Sequence, residues 1–335
     1  YGHGIGEFSR ILEDNGVDYL AVAFPGEGVA IREAGVRLPV IVLSSGMEHY
    51  PLLIRNRLEP SLPCLEAFQR FVREASALGQ HDYPVHIKLD TGMRRVGAEP
   101  SAAVALAERI AGSGSLRLGG VFTHLPISDV TDGDAFTRAQ LETFDASVAA
   151  IEAAVGPVEW VHAANSGAVL GHDLGRSTLV RPGIMVYGSY PDAGTEHTRP
   201  LRDVGTWTSR VSFVKRVSAG ESVGYGRTWT APRDTWVATV AIGYGDGYSR
   251  LLSSRGRMLI GGRSYPVIGR VCMDQTMLDL GPDRPDVQVG DEVVLMGASG
   301  DERIGVEELA GLMGTITYEV TCLIGARVPR TYVAA

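Results

Sequence analysis

The sequence predicts an α/β protein with an added β domain: a (β/α)8 TIM-like barrel over residues 1–195, then a mainly β domain over residues 196–335. Three observations carry this. Apolar runs of strand length alternate with helical patterns through the first half, as in a parallel α/β architecture. Polar side chains gather at the C-terminal ends of those runs, at Lys88, Asp90 and Arg95, at Thr123 and His124, at His162, Asn165 and Ser166, and at Arg181. In a barrel these ends share one mouth, where active sites form. After the turn-rich linker SYPDAGTEHTRPLRD the rhythm changes to short strands with little helix.

Strands are expected at 18–24, 39–44, 58–64, 84–92, 117–124, 159–166 and 180–188, with helices such as CLEAFQRFVREASALG and SAAVALAERIAG between them. The chain opens on a helix, with Ile5, Phe8, Ile11 and Leu12 at helical spacing after the turn YGHG. An eight-stranded barrel then needs one more strand before Tyr1, absent from the chain, and YGHG becomes the loop after it. An open doubly wound sheet competes, without a GxGxxG after a strand to support it. In the second half WTSRVSFVKRV, TWVATVAIGY, RMLIGGRSYPVIG, RVCMDQTMLDLG, DEVVLMG and ARVPRTYV read as strands and VEELAGLMG as a short helix. Gly261-Gly262 between two runs signals a hairpin.

The net charge of -8 and pI near 5.5 argue against a nucleic-acid surface. No run approaches the roughly 18 apolar residues of a membrane span. Three dispersed cysteines without a CxxC pair suit a reducing cytoplasm and argue against a disulfide framework or thiolate metal site. Only two lysines occur, Lys88 and Lys215, so lysine chemistry within the chain has two candidates.

In KLDTGMRRVG, two arginines follow a turn at a strand end, where Arg95 can fork onto a carboxylate or ring oxygen or lie idle in a surface loop. His124 and His162 are open to structural, ring-packing or base roles. NSGAVLG and RPGIMVYG place a hydroxyl and backbone N–H groups at consecutive turns, an arrangement that seats anions, and barrels hold phosphate after strands seven and eight. AIGYGDGYSR presents Tyr244 on a Gly-rich loop, as a reactive side chain or an ordinary aromatic anchor.

Taken in order, KLDTGMRRVG, FTHLP, HAANS, VRPGIMVYG, VGYGRTW, AIGYGDGYSR, GRVCMDQ and TYEV…RVPR resemble the alanine racemase family over essentially the whole chain. The resemblance implies a pyridoxal 5'-phosphate (PLP) isomerase acting on a small amino acid, with no metal, as a homodimer with composite active sites. The family's PLP lysine lies in a motif like KANAYGHG. Only YGHG is present here, so that lysine is expected four residues before Tyr1.

By the same resemblance, Tyr1, Asn165, Ser166, Gly183, Ile184 and Tyr318 surround the cofactor, most of them at its phosphate. Arg181 faces the pyridine nitrogen, held by His162, and His124 packs on the ring. Arg95 contacts the substrate carboxylate, oriented by Lys88, which matches a position that is often carbamylated. Tyr244, Cys272, Met273 and Asp274 enter from the other subunit, and Tyr225 lines the approach there. Gly245 and Arg94 stand where many relatives have alanine and a smaller residue.

Racemisation needs a proton removed from one face of Cα and returned to the other, so two bases are expected, the lysine and Tyr244. Free tyrosine, with a pKa near 10, needs cationic neighbours or hydrogen bonds to serve. The rival readings are a broad-specificity racemase of the same fold, a metal-dependent barrel hydrolase and a PLP carrier without turnover.

Overall fold

The computed structural model describes residues 1–335 apart from 193, 194, 196–198, 284, 334 and 335. Part of the expected linker, at 193–194 and 196–198, lies outside the described residues. By internal contacts the chain divides into two units. One comprises Gly4–Gly183 with Asp192–Pro200. The other comprises Tyr1–His3, Ile184–Pro191 and Leu201–Ala335.

The first unit is built on six parallel strands: β1 (Leu20–Val22), β2 (Val40–Val42), β3 (Glu59–Leu62), β4 (Tyr83–Lys88), β5 (Leu116–Phe122) and β6 (Trp160–His162). They pair strictly in sequence order. A doubly wound sheet would reverse its order at a switch point. Unreversed order is the winding of a TIM-like barrel, as the sequence predicted. Helices intervene, including Leu65–Ala77, Ala103–Ala111 and Asp134–Val155.

Period-two alternation sorts the strand side chains. On β4, Val85 and Ile87, with Leu89 beyond it, join the apolar core that the helices cover. The intervening His86, Lys88 and Asp90 are buried on the opposite face. Registers Ser61↔His86, His86↔Gly120 and Gly120↔Trp160, then Lys88↔Phe122 and Phe122↔His162, set the polar side chains in two adjacent layers.

The expected strand at 180–188 is corrected. Pro182 has no N–H to donate to a ladder. The segment follows β6 through separate bonds, Thr178 N to Val161 O (2.8 Å) and Arg181 N to Ala164 O (2.8 Å). It then coils into a 3-10 turn at Ile184–Tyr187.

The second unit carries β7 (Trp207–Val217), the small β8 (Ser222–Val223) and β9 (Trp229–Thr230) pair, β10 (Thr235–Val240), β11 (Arg257–Ile260), β12 (Arg263–Ile268), β13 (Thr276–Gly281), β14 (Glu292–Ser299) and β15 (Glu302–Ile304). The sheet order is β11-β12-β13-β10-β7-β14-β15, and an added β11–β14 pairing closes six of these strands into a ring. Gly261 and Gly262 form the two-residue hairpin with φ of 57° and 77°, as a type I′ turn requires. The helix read in VEELAGLMG spans Val306–Met313. The strand expected in ARVPRTYV is corrected to irregular chain. The Arg330 guanidinium takes the carbonyls of Gly2, Ile324, Gly325 and Val328 and folds this segment back on itself.

Gly120 decides how closely the inner polar layers approach. A Cβ there would lie 2.5 Å from His86 Nδ1 and 2.7 Å from the Trp160 carbonyl oxygen. Gly120→Ala is expected to destabilise the protein by about 1–3 kcal/mol, measured as a lowered denaturant midpoint, because strand backbone and a buried ring must both shift. An unchanged midpoint would show that these layers are slack.

Candidate active site

At the end of β6 the chain needs an anchor for the irregular segment that follows, and Arg181 supplies it. Its Nη1 donates to His162 Nδ1 (2.8 Å) and His162 O (2.8 Å). Its Nη2 donates to Thr123 O (2.7 Å) and Ala163 O (3.2 Å). All four Nη hydrogens are thereby committed, and the Nε hydrogen alone remains. Burial pushes the guanidinium down to about 10, so it stays charged at neutral pH. Because arginine only donates, His162 Nδ1 must accept, which puts the ring proton on Nε2.

His124 follows β5 and is partly buried. Burial, then Arg181, Arg95 and Lys88, push its pKa down to about 3, so the ring is neutral. Burial and the Arg181 charge also hold His162 well below its ordinary value. Lys88, 4% exposed, is lowered by burial and by Arg95 and Arg181, against the opposing pull of Asp90. The Asp90 carboxylate is already engaged, accepting from Gly92 N (2.9 Å) and Arg94 N (3.0 Å) to shape the loop that carries Arg95. Arg94 is drawn aside to Glu99 (2.7 Å) with a left-handed φ of 56°. Arg95 itself is exposed, with no hydrogen-bond partner among the described residues.

Ser166 starts a short helix (Ser166–Gly171) whose N-cap, Asn165, accepts from Ala168 N (3.1 Å). Ser128 Oγ donates to Asn165 Oδ1 (2.7 Å), and Asn165 Nδ2 donates to Leu125 O (3.0 Å), so both ends of the amide are fixed. The Ser166 hydroxyl accepts from Gly183 N (2.9 Å). Its own proton is left to donate. The barrel unit thus brings together Lys88, Arg95, His124, His162, Asn165, Ser166, Arg181 and Gly183. The mouth holds three cations, a neutral ring, an uncommitted Nε–H and an uncommitted hydroxyl. That set fits an anionic, ring-bearing molecule.

The second unit carries two further groups. In one, the Tyr1 ring lies 5.1 Å from Tyr187 and 5.9 Å from Tyr318. Ile184, in the same unit, is buried. His3 stacks on Tyr187 at 4.2 Å. Gly2 has a φ of 82° and no room for a side chain, since a Cβ would sit 2.0 Å from Thr321 O. In the other, backbone bonds join Tyr244 N to Cys272 O (3.0 Å) and Gly245 N to Met273 O (2.8 Å). Asp246 caps Gly243 N (2.9 Å), and Arg327 pairs with both Asp246 (2.6 Å) and Asp274. Tyr244, Cys272, Met273 and Asp274 therefore form one assembly. Among the described residues no hydrogen bond ties Tyr225 to it. Its neighbour Gly226 lies against Arg270.

Sequence reasoning missed His86, Glu59 and Arg327. The pattern V-H-I-K, with His86 two residues before Lys88, was the available signal for the first. Nothing local marks Arg327, whose two partners lie 81 and 53 residues away.

The N-terminal domain model of alanine racemase matches residues 1–191, and the C-terminal domain model matches 204–332. An alanine racemase of Cutibacterium acnes is 44% identical, covering 99% of this chain and 88% of that protein. One of Treponema denticola is 41% identical over 99% and 89%. Among solved structures, an alanine racemase of Clostridium difficile 630 aligns with a TM-score of 0.93 at 34% identity, covering 99% of this chain and 86% of that one. That of Bacillus anthracis with bound L-Ala-P aligns at 0.90 and 31%, covering 100% and 86%.

The two depressed histidines set a pH dependence. Above about pH 6.5 the rings are neutral in folded and unfolded chain alike, and their contribution is fully present. Below it the unfolded chain binds protons that the folded chain refuses, so stability falls toward pH 3. The urea midpoint is expected to drop between pH 7 and pH 5, and His124→Gln to flatten that slope. Equal slopes in both proteins would remove His124 from the linkage.

Proposed function

We propose that this chain, which belongs to the alanine racemase family, interconverts L-alanine and D-alanine as a PLP-dependent isomerase. The observation that carries the reading is the Arg181 guanidinium, saturated on both Nη atoms with one Nε–H to spare. When bound, PLP supplies an electron sink that lets the Cα proton of an amino acid leave. Arg181 offers the pyridine nitrogen a hydrogen and cannot take one away. Facing that nitrogen, Arg181 would hold it unprotonated, which would favour return of the proton to Cα over other carbons.

His124 packs its neutral ring on the cofactor without adding a fourth positive charge. The Ser166 hydroxyl and Gly183, with Asn165 holding their turn, contact the phosphate. Arg95 grips the substrate carboxylate by charge-assisted hydrogen bonds. Tyr244 exchanges the proton on one face of Cα. A second base serves the other face.

Tyr244 (44% exposed), Met273 (53%) and Tyr225 (71%) are large side chains left open to their surroundings. That exposure supports a homodimer in which they complete the partner's site. Among the described residues no helix is long and apolar enough to cross a membrane.

In the PLP-loaded protein, Tyr244→Phe is expected to cut racemisation at least 100-fold, on the order of a lost general base, while PLP absorbance is kept. Unchanged rates in both directions would remove Tyr244 from the mechanism. Equal rates with serine, lysine and arginine would overturn alanine as the substrate. Lys88 is proposed to carry CO2, its neutral amine forming a C–N bond and releasing one proton. The resulting carboxylate answers Arg95. A carbamate carbon signal is expected in 13CO2-equilibrated protein and not in Lys88→Gln, and its absence from the parent protein would refute the modification.

A further inference from the structure

Behind the mouth, the inner face of the barrel strands holds a second polar group that the reaction does not call on directly. His86 and His162 are both 0% exposed, with ring centroids 5.8 Å apart and planes at 84°. His86 Nε2 is hydrogen-bonded to Glu59 Oε2 at 2.8 Å, and Glu59 is itself buried. The two remaining ring nitrogens, His86 Nδ1 and His162 Nε2, have no hydrogen-bond partner among the described residues. Buried polar atoms left in this way are costly, and bound water commonly relieves them.

The proton positions are fixed from both ends. Arg181 can only donate, so His162 accepts at Nδ1 and carries its proton on Nε2. An ionised Glu59 can only accept, so His86 donates from Nε2 and, when neutral, presents a lone pair at Nδ1. One orphan is thus a donor and the other an acceptor, which is the pair a single water satisfies. Gly120 keeps that side of the His86 ring clear, since a Cβ there would lie 2.5 Å from Nδ1.

We infer that one buried water joins His162 Nε2 to His86 Nδ1, completing a donor-to-acceptor chain from Arg181 through His162, water and His86 to Glu59, and that Glu59 and His86 are positioning residues for Arg181. The chain ends on a carboxylate, so every link is polarised toward holding the Arg181 charge and the His162 tautomer. His86 and Glu59 touch neither substrate nor cofactor. They act by fixing the direction in which the Nε–H points. The role rests on the proposed function, because it presumes that Arg181 faces the cofactor nitrogen.

The first test needs no cofactor. Histidine 15N NMR of the PLP-free protein is expected to show His86 and His162 both as neutral Nε2–H tautomers, and a high-resolution crystal structure to show a water within about 3.2 Å of both orphan nitrogens. A His162 proton on Nδ1, or no water at that position, would overturn the chain. The second test is His86→Phe, which keeps the ring and removes both nitrogens. In the loaded enzyme kcat is expected to fall about five- to tenfold with KM for alanine little changed, and the cofactor's visible absorbance to shift. A variant with parent kcat and parent absorbance would end the positioning role. If His86→Phe does not fold, the tautomers and the water decide alone. Arg181→Lys separates the two claims: unaltered absorbance there defeats the reading of Arg181, while the tautomer result still judges the chain.

Discussion

The fourfold hydrogen bonding of Arg181 is the constraint on which the rest of the barrel unit depends. Its acceptors are three carbonyls, from Thr123, Ala163 and His162, and one neutral imidazole. They come from the ends of two adjacent strands, so one side chain fixes the separation of β5 and β6 and the path of the chain beyond them. Among the described residues no carboxylate touches the guanidinium. A buried cation held only by dipoles is satisfied in its hydrogen bonds but not neutralised in its charge. Lys88 and Arg95 add two more positive charges, and the nearby Asp90 faces its own loop's N–H groups. Burial first, and this surplus potential after it, depress His124 and Lys88. The surplus charge is also what an anionic ligand would relieve.

The inner face of the strands is the second half of that argument. A barrel interior is ordinarily filled with branched apolar side chains. Here the outward face of β4 is apolar, at Val85, Ile87 and Leu89, and the other face carries His86, Lys88 and Asp90. Phe122 lies on the polar face, in register with Lys88 and His162. Its ring stacks on His162 at 4.9 Å, with Lys88 Nζ 5.8 Å and Arg181 Cζ 5.4 Å from its centroid. The aromatic face adds to the support of both cations without consuming a donor, so the Arg181 Nε–H is still left for a ligand.

Much of this was legible in the residues. The strand–helix alternation, the hairpin at Gly261-Gly262 and the polar ends of the strands follow from period, turn chemistry and the geometry of parallel strands, all of them local rules. The two misread segments fail for the same physical reason. VRPGIMVYG and ARVPRTYV have strand-like composition, but each contains a proline and each gives its backbone groups to scattered partners in place of a neighbouring strand. Composition reports what a residue tolerates. It does not report whether a ladder is there to be joined. Arg327 and Glu59 were illegible because their meaning lies in partners far along the chain, where spacing carries no signal.

The two kinds of support differ in what they demand of the sequence. Arg181 is held by backbone carbonyls, which any residues at 123, 162 and 163 would present, and by one imidazole that only His162 supplies. The assembly around Tyr244 is held in part the same way, by backbone bonds to Cys272 and Met273, and there the demand falls on glycine. A Cβ at Gly243 would come within 2.2 Å of Cys272 O, and one at Gly247 within 2.2 Å of Leu323 O. The Gly245 site is looser, with a Cβ 3.0 Å from Met273 O and 3.2 Å from Arg327. Alanine there needs a few tenths of an ångström of adjustment, first from the Met273 carbonyl and then from a long arginine side chain. The departure at Gly245 is therefore tolerable on steric grounds. Gly243 and Gly247 are the positions in this loop that fix where the tyrosine stands.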